Sequence, residues 1–342
     1  KKYFNDNYLV YQSRMGFPKK VKLDKPPFKA IEAKNSERIS SYRERMESIP
    51  EGKPEFDFVN IKEDMNYKKI LDNYHLYHNV NPKNSIFTMK IEYGIGTKED
   101  PALQFAAELG NMIGNEKYNF NELKEELQKI GATINFYSSG DYFGLNIKGF
   151  DKNFQKTITM AGELLQNMKV RKEDKKKLKK LIQGSTLERR FESRDASAKG
   201  NALRDYALWG QNSNFLRRPT IKEVKKMDTE FLIERIEFAK KIETTIFYTG
   251  TLNIRDVEKS VNENLIIQKG LKPTSSPIVY EKKLKKKNTI YFYNDKKAVQ
   301  SQIHIMIPGS KMDLNERLTS RTFNKYFGSG MSALVFQEIR EF

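Results

Sequence analysis

Imidazole and thiol side chains, which most often bind zinc or serve in nucleophilic catalysis, are scarce in this sequence of 342 residues. Its histidines are His75, His78 and His304, and it has no cysteine. His75 and His78 are three residues apart in a stretch typical of a β-strand, so we expect their rings to point to opposite faces and not to share a metal. A catalytic zinc takes three protein ligands. The sequence therefore predicts no metal in this chain, and it has no cysteine or serine–histidine spacing suited to nucleophilic catalysis.

One segment, residues 91–118, has the layout of a strand, a turn and a helix: IEYGIGTKEDPALQFAAELGNMIGNEKY. An alternating apolar strand ends at Gly94 and Gly96. A polar turn containing Pro101 follows, and then apolar residues recur at helical spacing as far as Gly114.

This layout resembles the active-site segment of the pitrilysin/insulinase family of metallopeptidases, which carries the inverted zinc motif H-x-x-E-H. Laid over that motif, Phe105 and Leu109 stand at the two histidine positions, and Glu108 stands at the catalytic glutamate. Phenylalanine and leucine have no lone pair for a metal, so the segment cannot bind zinc as the family does. The family's third zinc ligand is a glutamate on a later helix, and Glu188 lies in the corresponding neighbourhood. Without a metal-bound water, Glu108 is not expected to act as a general base.

The resemblance therefore implies the non-catalytic half of a two-half zinc metallopeptidase. It implies zinc in the first half of the parent protein and none in this segment. The expected partners are that N-terminal catalytic half and peptide substrates. A non-catalytic scaffold or binding protein on the same fold is the alternative, and a basic nucleic-acid-associated module is a weaker one.

Arg340 is the candidate substrate contact in this chain. In the family, the second half carries an arginine on a helix of its last domain, followed seven residues later by a tyrosine, and both reach the zinc site of the other half. The run Ile339–Glu341 matches the start of that motif, and the sequence stops at Phe342, before the tyrosine position. A guanidinium suits a carbonyl or oxyanion. On charge patterning alone, a surface arginine among glutamates is equally consistent with this run.

Repeats and linkers predict how the chain is divided. Residues 91–114 share their layout with 303–328, and residues 1–16 share theirs with 237–252, which indicates a duplicated domain. We predict that residues 1–17 are the end of a preceding domain and that 18–54, rich in Pro, Lys and Ser, are an interdomain linker. Residues 55–271 are predicted to form a complete α+β domain with the degenerate zinc motif. A second linker, 272–288, is then followed by the start of a further, truncated domain of the same type, 289–342. The first residue is not Met, and the sequence stops within a helical pattern, so we predict an internal fragment of a longer protein.

Within the complete domain, the periodicity predicts an α+β fold with helices packed on one face of a mostly antiparallel sheet. The predicted strands are 74–80, 85–93, 133–138, 142–149 and 244–249. The predicted helices are 103–113, 120–130, 154–168, 172–193, 196–209, 221–227 and 229–239.

The net charge of +18 raises nucleic acid or an acidic surface as partners. The lysines stand in runs such as 169–180, without the interleaved aromatic residues of a nucleic-acid groove, so solvated helix faces are the favoured interpretation. No run approaches the ~20 apolar residues that span a bilayer. The absence of cysteine fits a bacterial cytoplasm as well as a periplasm.

Overall fold

The computed structural model describes residues 8–12, 39–50, 52, 60–265, 269–275, 277–282, 285, 287–296, 298, 301–307, 309, 312–313 and 316–340. The chain divides into two units, Lys1–Phe58 and Val59–Phe342. Helix α1 (Ser41–Glu47) lies in the first unit, and it begins where the Ser40 hydroxyl accepts a hydrogen bond from the Arg43 N–H at 3.2 Å.

The second unit contains the remaining elements. The strands are β1 (Asn66–Leu71), β2 (Tyr74–Val80), β3 (Ile86–Tyr93), β4 (Gly114–Asn115), β5 (Thr133–Ser138), β6 (Phe143–Phe150), β7 (Met168–Lys169) and β8 (Thr244–Gly250). The helices are α2 (Ile61–Asp64), α3 (Leu103–Gly110), α4 (Phe120–Lys129), α5 (Phe154–Gln166), α6 (Lys172–Glu192), α7 (Ala196–Trp209), α8 (Asn214–Arg217), α9 (Ile221–Val224), α10 (Thr229–Ala239), α11 (Ile254–Asn264) and α12 (Glu316–Gly328). A π-helical turn, Phe336–Arg340, follows α12.

Six strands form the main sheet in the order β1-β2-β8-β3-β6-β5. Strand β8 pairs in parallel with β2, and the other neighbours pair antiparallel. Strand β8, the last of the described strands along the chain, therefore lies between β2 and β3. Strands β4 and β7 form a separate two-stranded ribbon.

The core lies on one face of this sheet. Along β3, the alternate residues Phe87, Met89 and Ile91 are buried, while Thr88 between them is exposed. Helix α3 packs between β5 and α10, and α5 packs against α11. The predicted α+β class, a mostly antiparallel sheet with helices, is confirmed.

Several predicted elements match closely. Strand β2 and helices α7 and α10 have the predicted bounds, and α6 ends one residue earlier than predicted. Strand β1 and helix α11 were not predicted. Polar and charged residues dominate β1, so its apolar alternation is weak, and pairing with β2 decides its structure. In α11, Ile254, Val257 and Val261 do recur at helical spacing, a signal that the prediction missed, and the helix packs against α5.

The shared layouts also predict a strand within residues 1–16 and one at the start of 303–328, and both predictions are wrong within the described residues. Residues 8–12 and 301–307 form no strand there. The alternating side chains of Ile303, Ile305 and Ile307 are 82%, 83% and 85% exposed. A strand needs a neighbour to pair its backbone groups, and these segments pair with none in the part of the chain that the structure describes. The remaining divisions of the chain, including the linkers and the truncated domain, stay predictions.

Candidate functional site

The turn between β3 and α3 brings the backbone of residues 94–100 against the β5–β6 hairpin. The Thr97 N–H donates to the Ser139 carbonyl at 2.8 Å, and the Lys98 N–H donates to the Gly140 carbonyl at 2.9 Å. A side chain at Gly96 would collide with the Gly140 carbonyl and the Tyr142 backbone, so this close approach requires glycine. The turn is thus fixed by backbone contacts, which sets where α3 begins.

The charged side chains of the same turn also have partners. The Lys98 ammonium donates to Asp141 at 2.8 Å and to the Ile278 carbonyl at 2.9 Å. The Asp100 carboxylate accepts from the Ala102 N–H at 3.0 Å, in the turn that leads into α3. The charged side chains of the turn therefore have structural roles.

Helix α3 buries both positions at which the resemblance places histidines. Phe105 is 3% exposed and Leu109 is fully buried, and both belong to the main core. Full burial of such side chains contributes about 1.5–3 kcal/mol each. The face of α3 that would hold a metal in the resembling enzymes is therefore a packing surface here.

The end of α3 is attached to the edge strand β5 by a side chain that sequence reasoning missed. The Asn111 amide donates to the Phe136 carbonyl at 2.8 Å, and its carbonyl oxygen accepts from the Phe136 N–H at 2.8 Å. The two bonds reproduce the pattern of a neighbouring strand at one residue of the sheet edge. Gly110 is needed beside it, because a side chain there would collide with the Phe136 ring.

Glu108 is less buried than Phe105 and Leu109, its neighbours in the motif. Its side chain is partly exposed, and burial raises the pKa of its carboxyl above the ordinary value. A hydrogen bond from Gln104 opposes this shift, and the negative charge of Glu188 adds to it. Glu188 itself is exposed.

Two arginines, Arg189 and Arg218, make contacts at the C-terminal end of α6. The Arg218 Nη1 donates to both carboxylate oxygens of Glu192, at 3.0 and 2.9 Å. Arg189 donates to the Pro219 carbonyl at 2.5 Å, and burial followed by the charge of Arg218 lowers the pKa of its guanidinium. These contacts join α6 to the segment that follows α8.

The histidines of β2 point to opposite faces. His78 is 1% exposed, hydrogen-bonds the Leu252 carbonyl at 2.7 Å and stacks on Tyr248. His75 lies on the other face, 3.2 Å from Glu243. His304 lies in the exposed segment 301–307. Among the described residues, no group of three or more His, Cys, Asp or Glu side chains could hold a metal.

Arg340 ends the π-helical turn, and its side chain lies outside the described part of the structure. The structure therefore does not test its predicted substrate contact. None of the described helices is long and apolar enough to cross a membrane.

By sequence, the chain matches no protein-family model and no curated protein. By structure, it resembles peptidase domains. It superimposes on a peptidase M16 inactive domain from Pseudomonas fluorescens with a TM-score of 0.58 at 12% identity, covering 81% of this chain and 68% of that one. It superimposes on a mutant of the ferredoxin protease FusC in complex with Arabidopsis ferredoxin with a TM-score of 0.53 at 12% identity, covering 68% of this chain and 28% of that one.

A third similar structure is the first half of the periplasmic protease PqqL from Escherichia coli, with a TM-score of 0.50 at 18% identity, covering 63% of this chain and 48% of that one. The chain thus spans less than half the length of two of these three proteins. At these identities the likeness establishes the fold. The chain has the α+β fold of the peptidase M16 domains, and the predicted pitrilysin/insulinase resemblance is confirmed at that level.

Proposed function

We propose that this chain is the non-catalytic half of a two-half zinc metallopeptidase. The proposal rests on the residues that helix α3 has at the zinc-ligand positions. The glycine turn leads into α3 in the order of the zinc segment, while buried Phe105 and Leu109 occupy the ligand positions. Carboxylates alone do not make the three-ligand zinc site of such enzymes.

In this proposal the other half supplies zinc, its activated water and the general base. This chain supplies part of the wall of an enclosed chamber and contacts to the peptide substrate. The likeness to an inactive peptidase domain and to half of a protease supports this assignment of different roles to the two halves. A net charge of +18 would attract acidic peptides to this wall through long-range electrostatics.

Arg340 is proposed to reach the substrate in the assembled protein. Its planar guanidinium would donate to the scissile carbonyl, whose negative charge grows in the transition state. Removal of one such donor lowers kcat by about 10²–10³.

The test uses the full-length parent protein and its Arg340→Ala and Arg340→Lys variants. We expect chelator-sensitive cleavage of an unstructured peptide by the parent, a loss of about 10²–10³ in kcat for Arg340→Ala, and incomplete recovery for Arg340→Lys. Arg321→Ala, on α12, is the matched control for loss of a positive charge.

Two results would separate the alternatives. A parent protein without an H-x-x-E-H motif and without chelator-sensitive turnover would replace the peptidase proposal with a scaffold on the same fold. Parent-like turnover and an unchanged melting temperature in Arg340→Ala would leave Arg340 as an ordinary surface charge.

A further inference from the structure

A groove on the outer side of α6 combines an apolar floor with a basic rim. It has a volume of about 950 Å³ and lies between α6 and the segment 225–230, which leads into α10. Leu178, Ile182 and Met227 lie at its floor, with Leu178 buried and the other two partly buried. The residues of α6 that line it recur every three or four positions, so they form one face of the helix.

The rim carries more positive than negative charge. Four basic and two acidic side chains line the groove. One acidic residue, Glu230, is already neutralised by Lys175 at 2.5 Å, and hydrogen bonds from Lys175 and then Thr229 lower its pKa to about 2. The other, Asp228, caps α10 by accepting from the Phe231 N–H at 2.8 Å.

The other basic side chains of the rim are Lys179, Arg190 and Lys225, and all three are exposed. No ion pair joins any of them to a carboxylate among the described residues. Leu187, between them on α6, keeps 48% of its surface exposed. The groove therefore offers both unneutralised charge and apolar surface.

The length of the groove suits a polypeptide segment. From Lys175 to Arg190 the helix rises by ~22 Å, at about 1.5 Å per residue, which equals about four turns of a facing helix. Nucleic acid fits less well, because none of the described residues that line the groove is an aromatic side chain on which a base could stack.

We propose that this groove binds an acidic amphipathic segment of polypeptide, with its apolar side chains on Ile182 and Leu187 and its carboxylates toward Lys179, Arg190 and Lys225. Apolar anchors between complementary charges are the usual way a groove selects such a helix. Glu188 does not line the groove, and the inference does not depend on a catalytic half.

The experiment measures fluorescence anisotropy of a fluorescein-labelled peptide of about 15 residues, rich in Glu, with Leu at i, i+3, i+4 and i+7 spacing. A scrambled isomer of identical composition is the control peptide. The double charge reversal Lys179→Glu/Lys225→Glu is compared with Lys176→Glu/Lys180→Glu, which changes the net charge equally on exposed positions of α6 outside the groove. The Leu187→Ser variant tests the apolar contact, and circular dichroism melts check folding.

We expect the patterned peptide to bind more tightly than the scrambled isomer, and to bind more weakly at about 300 mM salt than at about 50 mM. Binding should weaken by about tenfold or more in Lys179→Glu/Lys225→Glu and several-fold in Leu187→Ser, and change little in the control pair. Absence of binding, equal binding of the scrambled peptide, or equal loss in both double variants would overturn the proposal. Preferential displacement of the peptide by single-stranded DNA would also overturn it, in favour of a nucleic-acid surface. Because the assay uses this chain alone, without zinc or a second half, its failure leaves the proposed peptidase role untouched.

Discussion

Replacing Leu109 by histidine tests whether the former ligand position is now a packing position. Leu109 is fully buried on α3, which packs between β5 and α10. The substitution removes about 1.5–3 kcal/mol of apolar burial. It also buries an imidazole without a hydrogen-bond partner, which costs about 1–3 kcal/mol more. We therefore expect Leu109→His to lower the free energy of unfolding by about 2.5–6 kcal/mol at neutral pH.

The loss should deepen as the pH falls. Burial lowers the pKa of the new imidazole in the folded state below its unfolded value of about 6.5. Below that pH the unfolded chain binds a proton that the folded chain does not, so the variant loses stability further on acidification. Zinc should not restore stability, because a single histidine beside carboxylates does not complete the site.

The assay is urea unfolding followed by circular dichroism, at about pH 7.5 and about pH 5.5, with Gln128→His on the exposed side of α4 as the control. The control should stay within about 0.5 kcal/mol of the parent chain. If Leu109→His does not fold, Leu109→Ala, with an expected loss of about 2–5 kcal/mol, replaces it. A loss below about 0.5 kcal/mol in these variants would refute the assignment of this position to the core.

Three further predictions concern helix α3. Burial raises the pKa of the Glu108 carboxyl, so ionising it costs stability as the pH rises from its ordinary pKa near 4.5 through the raised pKa. Glu108→Gln should therefore have a higher melting temperature than the parent chain at pH 7, and the difference should vanish at acidic pH. An equal or lower melting temperature at pH 7 would contradict this. Asn111→Leu leaves the Phe136 N–H and carbonyl without their side-chain partner and should cost about 1–3 kcal/mol, with faster hydrogen exchange of the Phe136 amide; unchanged exchange would count against the edge contact. Purified chain, dialysed and analysed by mass spectrometry for metals, should hold no stoichiometric zinc, and about one tightly bound zinc per chain would show that a site exists outside the α3 motif.

Local sequence was sufficient for the elements whose apolar periodicity is strong. The alternation along β3 and the helical spacing in α10 reflect burial on one face, so their bounds could be predicted closely. Helix α3 begins where predicted and ends at Gly110, three residues earlier than predicted. Glycine at positions 94 and 96 likewise marked a turn, although only the fold shows that Gly96 meets the β5–β6 hairpin. Where periodicity was weak, as in β1, the prediction failed because the neighbouring strand supplies the stabilising contacts.

The sequence by itself determined that Phe105 and Leu109 cannot ligate zinc, because that follows from side-chain chemistry alone. It also determined the α+β class, because the order of periodicities limits how layers can pack. The tertiary structure decided which residues meet, as Asn111 does with Phe136 at the edge of β5. It also gathered the lysines of α6 and the segment 225–230 around one groove. A contact such as the one between Asn111 and Phe136, 25 positions apart, has no local signal, since it arises only when the sheet and helices pack together.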